Sequence, residues 1–242
     1  MTQLLISVKN TDEALIALEA GADIIDFKDP NLGALGALDL AISTKIIAAL
    51  NGHIIISATV GEDHANLNAL VLAMQMRAKI GVDIIKIGVS ALFDEANFFA
   101  EMRCLSNTGT KIVAVFFADE RVDLTLLPML HQAGFYGAML DTKNKHKNLT
   151  QVQTKNDLQN FTQSCHQHRL LSGLAGSLQS QHIDVLVECN STYIGFRGGI
   201  CDNFVRESGL SRAKVVELKK LLHAHNKLNV KPQESKHLAL HS

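Results

Sequence analysis

Short runs of Ile, Val, Leu and Ala alternate with segments of helical spacing eight times along this chain, and that alternation limits the fold more than any other feature. The runs that read as strands are 4–8, 24–28, 54–59, 84–88, 111–117, 137–141, 170–175 and 193–197. Between and after them, apolar residues at three- and four-residue spacing predict helices. These start near Thr11, Asp39, Asn66, Leu92, Leu124, Thr154, His182 and Ser211, and Thr11 is a candidate N-cap. The sixth strand is followed by a polar loop from Thr142 to about Thr154, and the last helix is expected to end near His225. Most strands are apolar at consecutive positions, as a parallel sheet covered on both faces requires. An open doubly wound sheet usually carries a glycine-rich turn after its first strand, and here that turn reads Val8-Lys9-Asn10-Thr11. The expectation is therefore an α/β protein with a single closed (β/α)8 TIM barrel over residues 1–226. Residues 227–242 are polar, contain Pro232 and lack an apolar face, so they read as a mobile tail.

The balance of residues narrows the function classes. A net charge of -1 gives no basic surface for nucleic acid or an anionic membrane. No apolar run reaches membrane-span length, and the first residues lack a basic-then-apolar leader, so the expected location is cytoplasmic. The four cysteines, Cys104, Cys165, Cys189 and Cys201, are scattered, which suits reduced thiols better than a disulfide frame or a zinc site. Outer helices of a barrel serve as interface or solvent face equally well, which leaves homo-oligomerisation open.

Charges at strand ends carry the functional argument. In Ala22-Asp23-Ile24-Ile25-Asp26-Phe27-Lys28-Asp29-Pro30, Asp26 and Lys28 sit two apart on a strand and share a face. The pattern returns as Val82-Asp83-Ile84-Ile85-Lys86-Ile87-Gly88 and, with an acid alone, as Met139-Leu140-Asp141. Asp26 and Lys28 belong to the second strand, Lys86 to the fourth, Asp141 to the sixth and Arg197 to the eighth. Alternate strands share a layer of inward side chains, so these groups can converge at the C-terminal mouth, where barrel enzymes keep their sites. Lysines among carboxylates suit amine attack on a carbonyl, with the acids moving protons. The bland reading is a Lys28–Asp26 ion pair that only closes the core.

The loops after strands seven and eight read Ala175-Gly176-Ser177 and Arg197-Gly198-Gly199. In this fold such loops bind phosphate through backbone N–H groups, so Gly176, Ser177, Arg197, Gly198 and Gly199 are candidate phosphate ligands. Asp119, past the fifth strand, is a candidate for substrate hydroxyls. Of Lys143, Lys145 and Lys147, two read as solvated and one as a cation closing over the mouth. His166 and His168, like His223 and His225, are two apart on predicted helices and do not share a face, so no metal site is expected.

The motifs around Asp26 to Pro30, Ile56-Ser57-Ala58-Thr59-Val60-Gly61, Asp83 to Gly88, Met139 to Thr142, Leu174 to Ser177 and Gly195-Phe196-Arg197-Gly198 together resemble the (5-formylfuran-3-yl)methyl phosphate synthase family of methanofuran biosynthesis, known from methanogens and methylotrophic bacteria. The resemblance runs from about residue 4 to 222. It implies a barrel lyase that condenses two glyceraldehyde 3-phosphates, with loss of phosphate and water, and needs no cofactor. It further implies that Lys28 forms a Schiff base, that Lys86 accepts a proton, and that Asp26 and Asp141 assist proton transfer. Lys145 matches the family's third site lysine. The family carries Asp-Gly just past that lysine where this chain has His146-Lys147, so Lys143 or Lys147 is an alternative.

Two other readings compete. An orotidine-phosphate-decarboxylase-like barrel uses a similar Asp-x-Lys but wants an acid where Asn31 stands. A barrel that only binds a phosphorylated sugar would not need the full set of Asp26, Lys28, Lys86 and Asp141.

Overall fold

The computed structural model describes residues 1–229. Among them, eight parallel strands close into one barrel in sequence order, β1 pairing with both β2 and β8. The order is β1 (Gln3–Val8), α1 (Thr11–Glu19), β2 (Ile24–Phe27), α2 (Leu40–Leu50), β3 (Ile55–Thr59), α3 (Leu67–Lys79), β4 (Ile84–Gly88) and α4 (Phe98–Asn107). It continues with β5 (Lys111–Phe117), α5 (Leu127–Gln132), β6 (Gly137–Asp141), α6 (Leu149–Val152), α7 (Lys155–Gln167), β7 (Leu171–Leu174), α8 (Ile183–Val187), β8 (Tyr193–Phe196) and α9 (Arg212–Asn229). The expected TIM barrel is the fold observed.

Strand alternation sorts the apolar residues into two cores. Leu4, Ile6 and Val8 face the helices, whereas Leu5 joins Ile24, Ile84, Val113, Val115, Met139 and Tyr193 inside the barrel. The Tyr193 ring lies where a side chain on Gly173 would project, so that glycine makes room for the barrel's largest interior residue. The repeated Asp-Ile-Ile motif has a structural half. Asp23 Oδ2 accepts the Leu4 N–H and Asp83 Oδ2 accepts the Ile56 N–H, both at 2.8 Å. The first acid of each repeat thus seals the N-terminal end of the strand before it, and the second charged residue stands near the opposite end.

Four details differ from expectation. The helix after β4 is broken: a 3-10 turn over Ala91–Asp94 ends in extended Glu95, and α4 starts at Phe98. The break lets Phe93 stack on Phe98 with ring centroids 4.1 Å apart, both buried. Asn10, not Thr11, caps α1, its side chain accepting the Glu13 N–H. The loop after β6 contains the short α6, fixed by an Asn148–Gln151 capping box. The last helix runs on through Asn229, and residues 230–242 of the expected tail lie outside the described residues. No described helix is long and apolar enough to cross a membrane.

Candidate active site

Register brings Asp26 level with Ser7 on β1 and Ser57 on β3. All three point inward, and the carboxylate receives both hydroxyls: Ser7 Oγ donates to Oδ2 at 2.9 Å and Ser57 Oγ to Oδ1 at 2.7 Å. Lys86 Nζ adds an ion pair to Oδ1 at 2.6 Å. Asp26 is 0% exposed and Lys86 2%, so the group survives burial only because each charge is paired and each carboxylate oxygen has donors.

The second half of the cluster forms across the barrel. Lys28, just past β2, donates to Asp141 Oδ2 at 3.1 Å. Lys145 reaches Oδ1 of the same acid at 2.7 Å and also donates to the Thr142 carbonyl. The Lys28–Asp26 pairing of the bland reading does not form: Asp26 takes Lys86, and Lys28 takes Asp141. Three ammonium groups thus meet two carboxylates. Burial would push the Asp141 carboxyl up, but Lys145 and Lys28 outweigh it and hold that acid well below the usual carboxylate range. Burial pushes Lys86 down, with the Lys28 charge adding to the effect and Asp26 opposing it. Lys145 is likewise pushed down by burial against the pull of Asp141.

These groups line one cavity of about 540 Å³ at the C-terminal end of the barrel. Gly176, Ser177, Gly198 and Gly199 line its other side. Gly176 (φ +119°) and Ser177 (φ +49°) adopt left-handed backbone, and a side chain on Gly199 would collide with the Leu178 carbonyl. Among the described residues, the N–H groups of Gly176, Ser177, Gly198 and Gly199 have no acceptor. They are available to an anion. The Ser177 hydroxyl donates to the Lys145 carbonyl at 3.1 Å and so steadies the lysine loop.

Arg197 does not present its guanidinium to that cradle. Its five N–H donors go to the Arg206, Ser7 and Ser208 carbonyls and to both oxygens of Glu13 in the first turn of α1. The side chain stitches the loop after β8 to β1 and the first turn of α1. Asp119 also stands outside the cavity lining: it accepts the N–H groups of Lys143 and Asn144, each at 2.7 Å. Slight burial raises it, but those N–H groups outweigh the effect and hold it below the usual range. Its contact is with the backbone of the loop that carries Lys145. Of the three loop lysines, Lys145 lines the cavity, Lys143 pairs with Glu120 outside it, and Lys147 is exposed.

Sequence reasoning missed Ser7, Ser57, Glu13 and Arg206. The serines had a signal, since a lone hydroxyl in Leu4-Leu5-Ile6-Ser7-Val8 or Ile54-Ile55-Ile56-Ser57 interrupts an aliphatic strand. Glu13 and Arg206 are distant in sequence from the groups they serve and had none.

Solved structures share the fold. Phosphoribosyl anthranilate isomerase from Thermus thermophilus matches 92% of this chain and 99% of its own with a TM-score of 0.67 at 12% identity. 3-Hexulose-6-phosphate synthase from Salmonella typhimurium matches 93% and 100% with a TM-score of 0.67 at 14% identity. A Methylorubrum extorquens protein is 40% identical over 89% of each chain. The (5-formylfuran-3-yl)methyl phosphate synthases of Methanocaldococcus jannaschii and Methanopyrus kandleri are 33% and 32% identical, covering 90% and 88% of this chain and 98% and 95% of their own. The 4-HFC-P synthase family model matches residues 4–219, nearly the whole barrel with every group of the central cluster, and the chain belongs to that enzyme family.

Proposed function

We propose that this protein condenses two molecules of glyceraldehyde 3-phosphate to 4-(hydroxymethyl)-2-furancarboxaldehyde phosphate, a step toward methanofuran-type cofactors. In sum the two trioses lose one phosphate and two waters. One observation carries the reading: a buried amine, Lys28, lines the cavity within hydrogen-bond reach of an acid, with two further lysines in the same cluster.

Lys28 gives a proton to Asp141 and, as the neutral amine, adds to the aldehyde carbon of the first triose. As Lys28 loses its charge, Asp141 loses one of the two cations that suppress its proton affinity, so it becomes a better acceptor at that moment. That proton and a second one released by the added nitrogen go to the carbonyl oxygen, which leaves as water while the protonated imine forms. The imine acidifies the neighbouring C–H, and Lys86 takes that proton as a neutral amine, the form that its burial favours. The resulting enamine expels phosphate from C3. That leaves an unsaturated iminium, which the second triose attacks through its C2 as its C2–H proton passes to the released phosphate. Ring closure, dehydration and hydrolysis of the imine release the product and free Lys28.

The unsatisfied N–H groups of Gly176, Ser177, Gly198 and Gly199 hold a substrate phosphate in this scheme. The reaction draws on side chains and backbone alone and calls on no cofactor. We place it in the cytoplasm, with its phosphorylated substrate. Lys28→Arg tests the reading, because it keeps the charge and cannot form an imine. The expected result is no furan aldehyde product above background, and substantial turnover by this variant would overturn the proposal.

A further inference from the structure

The reaction proposed above brings two phosphate groups into one cavity, and the cradle after β7 and β8 accounts for one. We propose that Arg206 binds the phosphate of the second triose, an inference that rests on that reading of the function. Three observations support it.

Arg206 lines the cavity. Its base rests beside Gly198, where a Cβ would lie 3.6 Å from Arg206 Cβ, and its Nη2 donates to the Gly33 carbonyl in the loop after β2 at 2.9 Å. The side chain therefore reaches from the loop after β8 to the loop after β2. Its charge also reaches Lys145, where it adds to burial in lowering that lysine.

The lysines facing the cavity already have carboxylates, and Arg197 has Glu13. Arg206 has a weaker tie, Nε lying 3.8 Å from Glu207 Oε1. Among the described residues, its Nε and Nη1 make no hydrogen bond. A planar guanidinium with free donors at a cavity mouth suits two-point recognition of a phosphate.

The loop that carries it is built to hold it there. Its ends are joined by the Cys201–Leu210 bridge and by Asp202 N–H to Gly209 O at 3.0 Å. Between them Asn203 (φ +51°) and Phe204 (φ +59°) occupy left-handed backbone, which an aromatic residue rarely adopts. The Phe204 ring lies over Lys214 Nζ at 3.7 Å, and the Arg206 carbonyl accepts Arg197 Nε at 2.8 Å. Strain in a loop fixed at this many points indicates a set conformation, and its effect is to place Arg206 over the cavity.

Glycerol 3-phosphate tests the proposal, because it has no carbonyl and cannot form an imine. In calorimetric titration the wild-type chain is expected to bind two molecules. Arg206→Ala is expected to lose one, or to weaken it about tenfold or more, as loss of a charge-assisted bond implies, and Arg206→Lys to recover part of the loss. Borohydride trapping of unphosphorylated glyceraldehyde on Lys28 should be equal in wild type and Arg206→Ala, which also shows that the variant is folded. Two wild-type-like affinities in Arg206→Ala would overturn the proposal, as would a single site in the wild type or an equal loss of glyceraldehyde trapping. If the wild type binds glycerol 3-phosphate twice but traps no triose, the imine reading fails, and the comparison with Arg206→Ala still decides the role of Arg206.

Discussion

Lys86 Nζ lies 2.6 Å from Asp26 Oδ1, and that carboxylate also holds the hydroxyls of Ser7 and Ser57. With donors on both oxygens, Asp26 is held in place and in turn positions Lys86.

The serines should therefore tune the base. Removing a hydroxyl leaves more of the Asp26 charge to Lys86, which then holds its proton more tightly. Ser57→Ala is expected to lower kcat about 10- to 100-fold, as loss of a hydrogen bond to a charged group implies, with KM little changed. The rising limb of the kcat–pH profile, where Lys86 becomes neutral, should move to higher pH. Ser57→Thr should restore both. A lower melting temperature with an unshifted pH profile would make the hydroxyl merely structural.

Asp141 predicts a pH dependence of stability. Its folded-state affinity for protons lies below the unfolded value, because the repulsive burial effect is outweighed by Lys145 and Lys28. Its contribution is therefore fully present above the unfolded carboxyl pKa of about 4 and is lost as pH falls through the lower folded value. Asp141→Asn should cost about 3–5 kcal/mol near neutrality, by leaving the Lys28 and Lys145 ammonium groups without their counter-charge. Urea unfolding from pH 7 to pH 3 should show that difference constant at first and narrowing below about pH 4. A difference that widened with acid would contradict the assignment.

Arg197 should matter for stability more than for anion binding. Arg197→Lys keeps the charge but cannot make five directed bonds, and Glu13→Gln removes the partner. Both should lower the melting temperature, with breaking of this buried pair worth about 3–5 kcal/mol. A variant with wild-type melting and weakened phosphate binding would return Arg197 to the role that its position after β8 suggests.

Gly199→Ala tests the cradle. A Cβ there collides with the Leu178 carbonyl, so the two loops must separate and their N–H groups diverge. Overpacking of this kind typically costs about 1–3 kcal/mol. Titration with inorganic phosphate should show weakened binding, and unchanged affinity would remove these N–H groups from the site.

The barrel was legible because period-two and period-3.6 patterns alternate without a gap, and buried charges such as Asp26 and Lys86 stand out in aliphatic strands. Their partners were not legible. Whether Lys28 meets Asp26 or Asp141 depends on how the strands stagger around the closed barrel, and no local pattern encodes that. Arg197 and Glu13 meet only because β8 closes on β1, 184 positions back in the chain. The Phe93–Phe98 stack broke a helix that spacing alone made continuous. The choice among the loop lysines likewise came from the anchoring of the β6 loop by Asp119 and Ser177.

The central claim is that Lys28 is the imine-forming amine, and borohydride trapping tests it most directly. The chain would be incubated with glyceraldehyde 3-phosphate, reduced, digested and read by peptide mass spectrometry. The account predicts a reduced triose-derived adduct on Lys28, with a furan aldehyde chromophore growing in the unreduced reaction. An adduct on Lys86 in place of Lys28 would contradict the assigned roles, and bound substrate with no lysine adduct would contradict covalent catalysis in this barrel.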